Sequence, residues 1–343
     1  VRAAPPFRRI LLARTDRIGD VVLSLPTASL IKSRFPGAVV HFLTRPYTAP
    51  LAAMAPDVDA VITDQGLGAW GLSRRLAAGG YDAAVLLHPT ARLAAAVFLA
   101  AIPWRTGTSY RWYSWLLNRR VGLHRRDSQR HELELNLELA QRGLGSGSCD
   151  AERQDYCPRI TLSPEQKAAA RSLLGMVSGR QVIVHPGSGG SARDWPLSNF
   201  AGLINRLSAK GFGLAVTLGP GEDGLRQAME PMLAGCVRWV SGLDLGQLAA
   251  VLSTAELVVS NSTGPLHLAA AVGSRVLGIY CPVEPCLPRR WGPYGPGHAW
   301  LMPDVPCCRK CTGSRCRHWD CMESLTVERA YDKAMEMLTD GGR

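Results

Sequence analysis

Asp20 ends the run Arg14-Thr15-Asp16-Arg17-Ile18-Gly19-Asp20, which separates an apolar stretch at 8–13 from a helically spaced one at 21–35. A carboxylate at the carboxyl end of a strand can take a proton from a bound hydroxyl. It can equally be the N-cap of a helix starting near Val21, since Asp is among the best caps. A second run, HPGSGGSARDWP at 185–196, follows another apolar stretch. Small residues at Gly187, Ser188, Gly189, Gly190 and Ser191 let backbone N–H groups approach a phosphate, and Arg193 can add a charged contact. A flexible loop with a solvated arginine fits the same residues. The pattern GxxxxGK[ST] is absent, so this is not a P-loop.

The run NSTGPLH at 261–267 follows a third apolar stretch. Pro265 is placed to start a helix capped by Ser262 or Thr263, and N–H groups at Thr263 and Gly264 would form an anion site at its head. A plain strand-to-helix junction is the alternative, with His267 a core histidine. Two anion-suited loops in one half point to a diphosphate ligand. Between Trp104 and His131 stand seven arginines (105, 111, 119, 120, 125, 126 and 130) against one acid, Asp127, with aromatics interleaved. Nucleic acid, anionic lipid headgroups or bulk water could face them. Cys308, Cys311, Cys316 and Cys321 lie within fourteen residues, with Cys307 and His318 close by. Four thiolates at this spacing could hold zinc; reduced thiols, or disulfides formed after isolation, are the other readings.

These residues need a scaffold that presents loops at strand ends. Apolar runs at 8–13, 39–43, 58–62 and 83–87 alternate with helical spacing, and so do those at 182–185, 213–218, 257–260 and 275–279. That alternation predicts an α/β fold of two doubly wound parallel sheets, with ligands in the cleft beyond the strand ends. The polar stretch 143–163 reads as a linker, giving domains at 1–157 and 158–343. The second carries the Cys-rich segment 307–321 and a C-terminal helix. Ser163, Pro164 and Gln166 form a capping box that opens its first helix.

The 343 residues suit two domains, and a hydrophobic share of 46% with 20% charged excludes disordered and fibrous classes. A formal net charge of +11 favours anionic partners. The N-terminal residues lack a secretory pattern, and the apolar stretch at 93–104 is about half the length of a membrane span. A cytoplasmic protein is expected, and a periplasmic solute-binding protein is not, because it needs an export signal.

RTDRIGD with Pro26 beyond it, HPGSGGSARDWP, SNSTGPLHLAAA at 260–271, GIYCPVEP at 278–285 and WGPYG at 291–295 together resemble glycosyltransferase family 9, the ADP-heptose:lipopolysaccharide heptosyltransferases. The resemblance runs over nearly the whole chain, and the Cys-rich tail is similar to one seen in many members. It implies a GT-B fold of two Rossmann-like domains facing across a cleft, and inverting transfer from a nucleotide sugar that requires no metal or other cofactor. Asp20 maps to the general base. Arg193 stands where the family has a lysine that contacts the donor nucleotide, and it would stabilise the leaving diphosphate.

Thr263 and Gly264 match the diphosphate loop, and Glu222, or Asp223 by a one-residue shift, matches a ribose-binding glutamate. Gly19, Ser188, Gly189, Ser262, Pro265 and His267 complete the donor-side set. Ser262 stands where the family usually has Asp. The resemblance also implies an ADP-heptose donor and a lipid A–core or related anionic acceptor met by Arg111, Arg119 and Arg120. Peripheral contact with the inner face of the bacterial inner membrane follows, with no nucleic acid expected. The other readings are the same fold using another nucleotide sugar, a GT-B-shaped sugar-nucleotide epimerase, and a basic nucleic-acid-binding protein.

Overall fold

The computed structural model describes residues 7–125, 129–145, 156–175, 180–190 and 192–339. Expectations for Arg126, Asp127, Ser191 and positions 146–155 of the linker lie outside them. The chain forms two compact units, 1–161 and 162–343. The division falls past the expected boundary at 157/158 because the last part of the expected linker bonds back to the first unit. The Tyr156 hydroxyl meets Ser33 Oγ at 3.1 Å, and Thr161 N–H donates to Met54 O at 2.9 Å.

The first unit holds a six-stranded parallel sheet built from β1 (Arg9–Ala13), β2 (Val39–Thr44), β3 (Ala60–Thr63), β4 (Ala83–Leu86), β5 (Trp104–Thr108) and β6 (Arg119–Val121). Its order is β3-β2-β1-β4-β5-β6, so the chain reverses direction across the sheet between β1 and β4. β1 and β4 are buried on both faces, which is why they read as continuous apolar runs rather than alternating ones. The second unit repeats the plan with β7 (Gln181–His185), β8 (Gly213–Thr217), β9 (Arg238–Val240), β10 (Leu257–Asn261), β11 (Arg275–Ile279) and β12 (Ala299–Leu301). Its order is β12-β11-β10-β7-β8-β9, with the reversal between β7 and β10. In open sheets of this kind the strand ends flanking the reversal are where ligands bind, and the runs ending at Asp20 and starting at His185 and Asn261 all lie there.

The helix expected over 21–35 is two helices, Ile18–Val22 and Pro26–Arg34. Pro26 has no N–H to give to a continuing helix and instead takes the first position of a new one. The first helix also begins earlier than expected. Its N-cap is Arg17, without a side-chain capping bond, and Asp20 is the acid of its first turn. The N-cap reading of Asp20 is therefore corrected, and its carboxylate is left for other partners.

The capping box at the head of the helix Pro164–Leu174 forms as expected from Ser163 and Gln166. The first residues of the expected linker are helical, because Glu132–Leu144 runs through Gly143 and stops at Gly145 with a left-handed φ of 77°. Gly143 is where that helix meets the sheet: a Cβ there would lie 1.9 Å from Thr106 Cγ2. The C-terminal helix Val327–Thr339 packs Ala330, Ala334 and Leu338 into the second unit's core beside Trp195 and Phe200.

Candidate active site

In the first unit, Asp20 belongs to a cage of charges built around Arg14, the residue immediately after β1. Arg14 is only 2% exposed. Its Nε donates to Asp16 Oδ1 at 2.7 Å, one Nη to Asp20 Oδ1, and the other to Glu132 Oε1 at 3.0 Å. Glu132, 1% exposed, also accepts from Arg125, which donates to Asn136 Oδ1 at 2.9 Å and Leu87 O at 3.1 Å. Asn136 in turn donates to Ser24 Oγ at 3.1 Å and Leu23 O at 3.2 Å, holding the turn just after the Asp20 helix. His88 Nδ1 lies 3.2 Å from Asp16 Oδ2 at the outer edge.

Burying this many charges is costly unless each is paired, and here each carboxylate of the cage faces a guanidinium. Burial pushes the Asp20 carboxyl above its ordinary range, Arg14 pulls it down, and the Asp16 and Glu132 carboxylates push it up again. The net rise makes Asp20 a stronger base than a free aspartate. Arg14 is held well above its usual range and stays cationic. Gly19, buried in the same short helix, belongs to this cage's unit, whereas the other donor-side residues lie in the second.

In the second unit the two anion-suited runs are bolted together. Asn261, fully buried at the end of β10, donates from Nδ2 to Pro186 O at 2.6 Å, and its Oδ1 accepts from Trp195 N–H at 3.1 Å. One side chain thus fixes both ends of the glycine-rich loop next to the helix Gly264–Ala271. Thr263 is that helix's N-cap but makes no side-chain capping bond, and Pro265 takes its second position. The first-turn N–H groups of a helix lack partners within it, so its head is a seat for an anion. Gly189 and Gly190 have φ of 55° and 73°, a left-handed bend that side-chain-bearing residues rarely adopt.

Glu222 closes the other side of the loop. Its Oε2 accepts from Gly219 N–H at 2.7 Å, and a Cβ placed on Gly187 would lie 2.1 Å from its Oε1. Gly187→Ala should therefore displace the Glu222 carboxylate rather than break the fold. Titration calorimetry should then show the same loss of ADP affinity for Gly187→Ala as for Glu222→Ala, with the melting temperature nearly unchanged. Asp194 hydrogen-bonds the Ser188 hydroxyl, and buried His185 places Nδ1 3.0 Å from Thr217 Oγ1. Ser262 hydrogen-bonds the buried Tyr280 phenol, which donates to Trp291 O at 2.6 Å. His267 is 4% exposed, with its ring 6.5 Å from that of Trp291.

Arg193 is not gathered with these loops. Its guanidinium donates to Trp319 O and lies 3.9 Å from Cys311 Sγ, tying the glycine-rich loop to the Cys-rich segment. Cys308 lies within electrostatic reach of Cys311, Cys316 and Cys321, but among the described residues no group of three or more His, Cys, Asp or Glu is placed to hold a metal ion. Cys321 is drawn into the core with Met322 and Leu325, Cys308 pairs with Val283 in a β-bridge, and Cys311 is exposed. The arginines between Trp104 and His131 do not all face outward. Arg105 bonds Ile102 O and Leu116 O, Arg125 belongs to the cage, and Arg130 pairs with Glu138. Arg111, Arg119 and Arg120 are exposed, with the Arg119 guanidinium 3.6 Å from the Trp104 ring centre.

Each unit is a doubly wound α/β sheet, the first carrying a caged carboxylate and the second two loops suited to an anion, all at strand ends beside the reversal of strand order. The family model described as glycosyltransferase family 9 (heptosyltransferase) matches residues 69–318. The chain belongs to glycosyltransferase family 9 and is a glycosyltransferase. It is 26% identical over 292 residues to lipopolysaccharide heptosyltransferase 2 of Salmonella typhimurium, covering 81% of this chain and 84% of that one. The crystal structure of a family 9 glycosyl transferase from Veillonella parvula superposes with a TM-score of 0.83 at 19% identity, covering 97% of each chain. The E. coli heptosyltransferase WaaC, solved with ADP, gives a TM-score of 0.72 at 22% identity over 96% of this chain and 99% of that one. The fold is accordingly GT-B.

Proposed function

We propose that this glycosyltransferase moves a heptose from ADP-heptose to a lipopolysaccharide core or related anionic glycan, with inversion and without a metal. The observation that carries the reading is the Arg14 cage, which holds Asp20 as a carboxylate more basic than usual at the carboxyl end of β1. The acceptor hydroxyl oxygen forms a bond to the anomeric carbon as the bond from that carbon to the diphosphate oxygen breaks. Asp20 takes the hydroxyl proton, and ADP leaves with the electron pair. The growing negative charge falls on the Thr263–Gly264 helix head, and fixed N–H dipoles stabilise such charge without reorganising. Glu222 faces the ribose, and Ser188, Gly189, Pro265 and His267 shape the donor loops.

Arg193, bonded to Trp319 O in this structure, supplies the remaining charge once it leaves that carbonyl and turns to the diphosphate. Arg193→Ala should raise the donor KM and slow transfer; unchanged donor kinetics would leave it only as the tether of the Cys-rich segment. Arg111, Arg119 and Arg120 meet the phosphates and acidic sugars of the acceptor, at the cytoplasmic face of the inner membrane.

A second reading, transfer from another nucleotide sugar, is favoured by Ser262, whose hydroxyl is already bonded to Tyr280 in place of a free carboxylate. Release of free nucleoside diphosphate from ADP-heptose, UDP-sugars and GDP-sugars, with and without a deep-truncated lipopolysaccharide, separates the two. Acceptor-dependent ADP release from ADP-heptose is expected. A response to a UDP- or GDP-sugar alone would keep the reaction class and overturn the donor.

A further inference from the structure

The short turn of 3-10 helix Trp112–Leu116, between β5 and β6, is two-faced. Tyr113 and Leu116 turn into the first unit's core, where the Tyr113 hydroxyl donates to Pro89 O at 2.5 Å. Trp112 and Trp115 are 80% and 65% exposed. Residues three apart on such a helix eclipse one another, so the two indoles share one outward face. The end of the helix Ala91–Leu99 extends that face: Phe98 and Leu99 are 42% and 46% exposed, and the Phe98 ring stands edge-on to Trp115 with centroids 6.1 Å apart. Large apolar side chains exposed together mark a contact surface.

The exposed charges next to it in the chain are arginines. Between Ala83 and Arg126 the sequence has seven arginines and no acidic residue; Arg92 and Arg125 are paired with Asp64 and Glu132, while Arg111, Arg119 and Arg120 are exposed. Arg111 precedes the turn, Arg119 and Arg120 follow it on the edge strand β6, and the Arg105 guanidinium lies 5.3 Å from the centre of the Phe98 ring. Tryptophan rings bordered by arginine suit the boundary of an anionic bilayer, where indoles sit at headgroup depth and guanidinium groups meet phosphates. A protein partner would need acidic side chains to oppose the arginines, and this surface brings none of its own to set a register.

We propose that Trp112, Trp115, Phe98 and Leu99 insert into the headgroup region of an anionic phospholipid bilayer, at the border of which Arg111, Arg119 and Arg120 meet the phosphates of an acceptor embedded in it. The proposal rests on the reading of a lipid-linked acceptor and assigns the surface that brings the enzyme to it. No helix among the described residues is long and apolar enough to cross a membrane, so the contact is with one leaflet.

The test is sedimentation with vesicles of phosphatidylethanolamine containing phosphatidylglycerol, beside vesicles of phosphatidylcholine alone. The full chain should bind the anionic vesicles, more weakly as salt rises. Trp112→Ser/Trp115→Ser should lose at least about tenfold in partitioning, as expected when interfacial apolar area is removed. The variant should keep its melting temperature, its ADP affinity and its turnover on a short soluble acceptor. Leu99→Ser, a milder change on the other element, should lose partitioning in the same direction. Equal vesicle binding by the double variant and the parent would overturn the proposal. So would a change confined to the sedimentation coefficient of the protein alone, which would make the face an interface between copies. Vesicle binding is read without any sugar, so its failure and a failure of glycosyl transfer are told apart.

Discussion

Asp20→Asn should lower kcat by roughly 10²–10⁴-fold, the usual contribution of a positioned general base. Affinity for ADP should be nearly unchanged, because apart from Gly19, a glycine whose backbone the substitution leaves in place, the nucleotide's proposed contacts are made by the second unit. Asn keeps the shape of the side chain and can still accept from Arg14, so the cage should remain assembled. The pH dependence gives an independent check. Burial, with Asp16 and Glu132 adding to it against the pull of Arg14, raises the Asp20 carboxyl above its ordinary value. The base is lost as pH falls through that raised value. The acid limb of kcat/KM should therefore have its midpoint above about 3.9, the ordinary value for aspartate, and it should vanish from the residual activity of Asp20→Asn. Normal turnover by the variant would remove Asp20 from the mechanism.

Arg14→Met should have the largest effect on stability. It fills similar volume but leaves Asp16, Asp20 and Glu132 without their shared cation, and only Glu132 keeps another arginine, Arg125. Breaking a buried ion pair by removing one partner costs about 3–5 kcal/mol, which chemical denaturation would read directly. The sign of the pH response follows from the same charges. Without the pull of Arg14 the Asp20 carboxyl rises further, so the folded variant binds a proton that its unfolded chain releases. The variant should recover part of its stability as pH is lowered from neutrality towards the ordinary carboxylate range. A loss that is small and independent of pH would mean the cage is open to water.

Much of this arrangement is legible in the chain, for identifiable reasons. Parallel strands covered on both faces must be apolar throughout, so β11 is found at the expected bounds and β7, β8 and β10 within a residue. The Ser163 capping box is a local pattern and forms as written. The start of the Asp20 helix is not legible, because Ile18 and Gly19 inside the RTDRIGD run carry no helical signal. Glu132 is invisible for a different reason: it reaches Arg14 only through the fold, from 118 positions along the chain, and Arg125, singled out only as one of many arginines, joins the cage through Glu132. Asn261 lay inside a recognised run, yet its bond to Pro186 depends on β10 lying beside β7, a pairing of distant segments. Cysteine spacing counts positions and not burial: Met322 and Leu325 take Cys321 into the core, while Cys311 is exposed. Arginine density does not tell these cases apart: Arg105 and Arg125 have internal partners, Arg130 pairs with Glu138 at the surface, and Arg111, Arg119 and Arg120 are exposed.

The most direct test of the account is a product analysis in one tube: ADP-heptose, a deep-truncated lipopolysaccharide acceptor and the full chain. The released ADP is counted against the mass gained by the acceptor, and the new linkage is assigned by NMR. The account predicts one heptose gained per ADP released, with an anomeric configuration opposite to that of the donor. Retained configuration, ADP release without acceptor gain, or an altered sugar nucleotide in the absence of acceptor would contradict it.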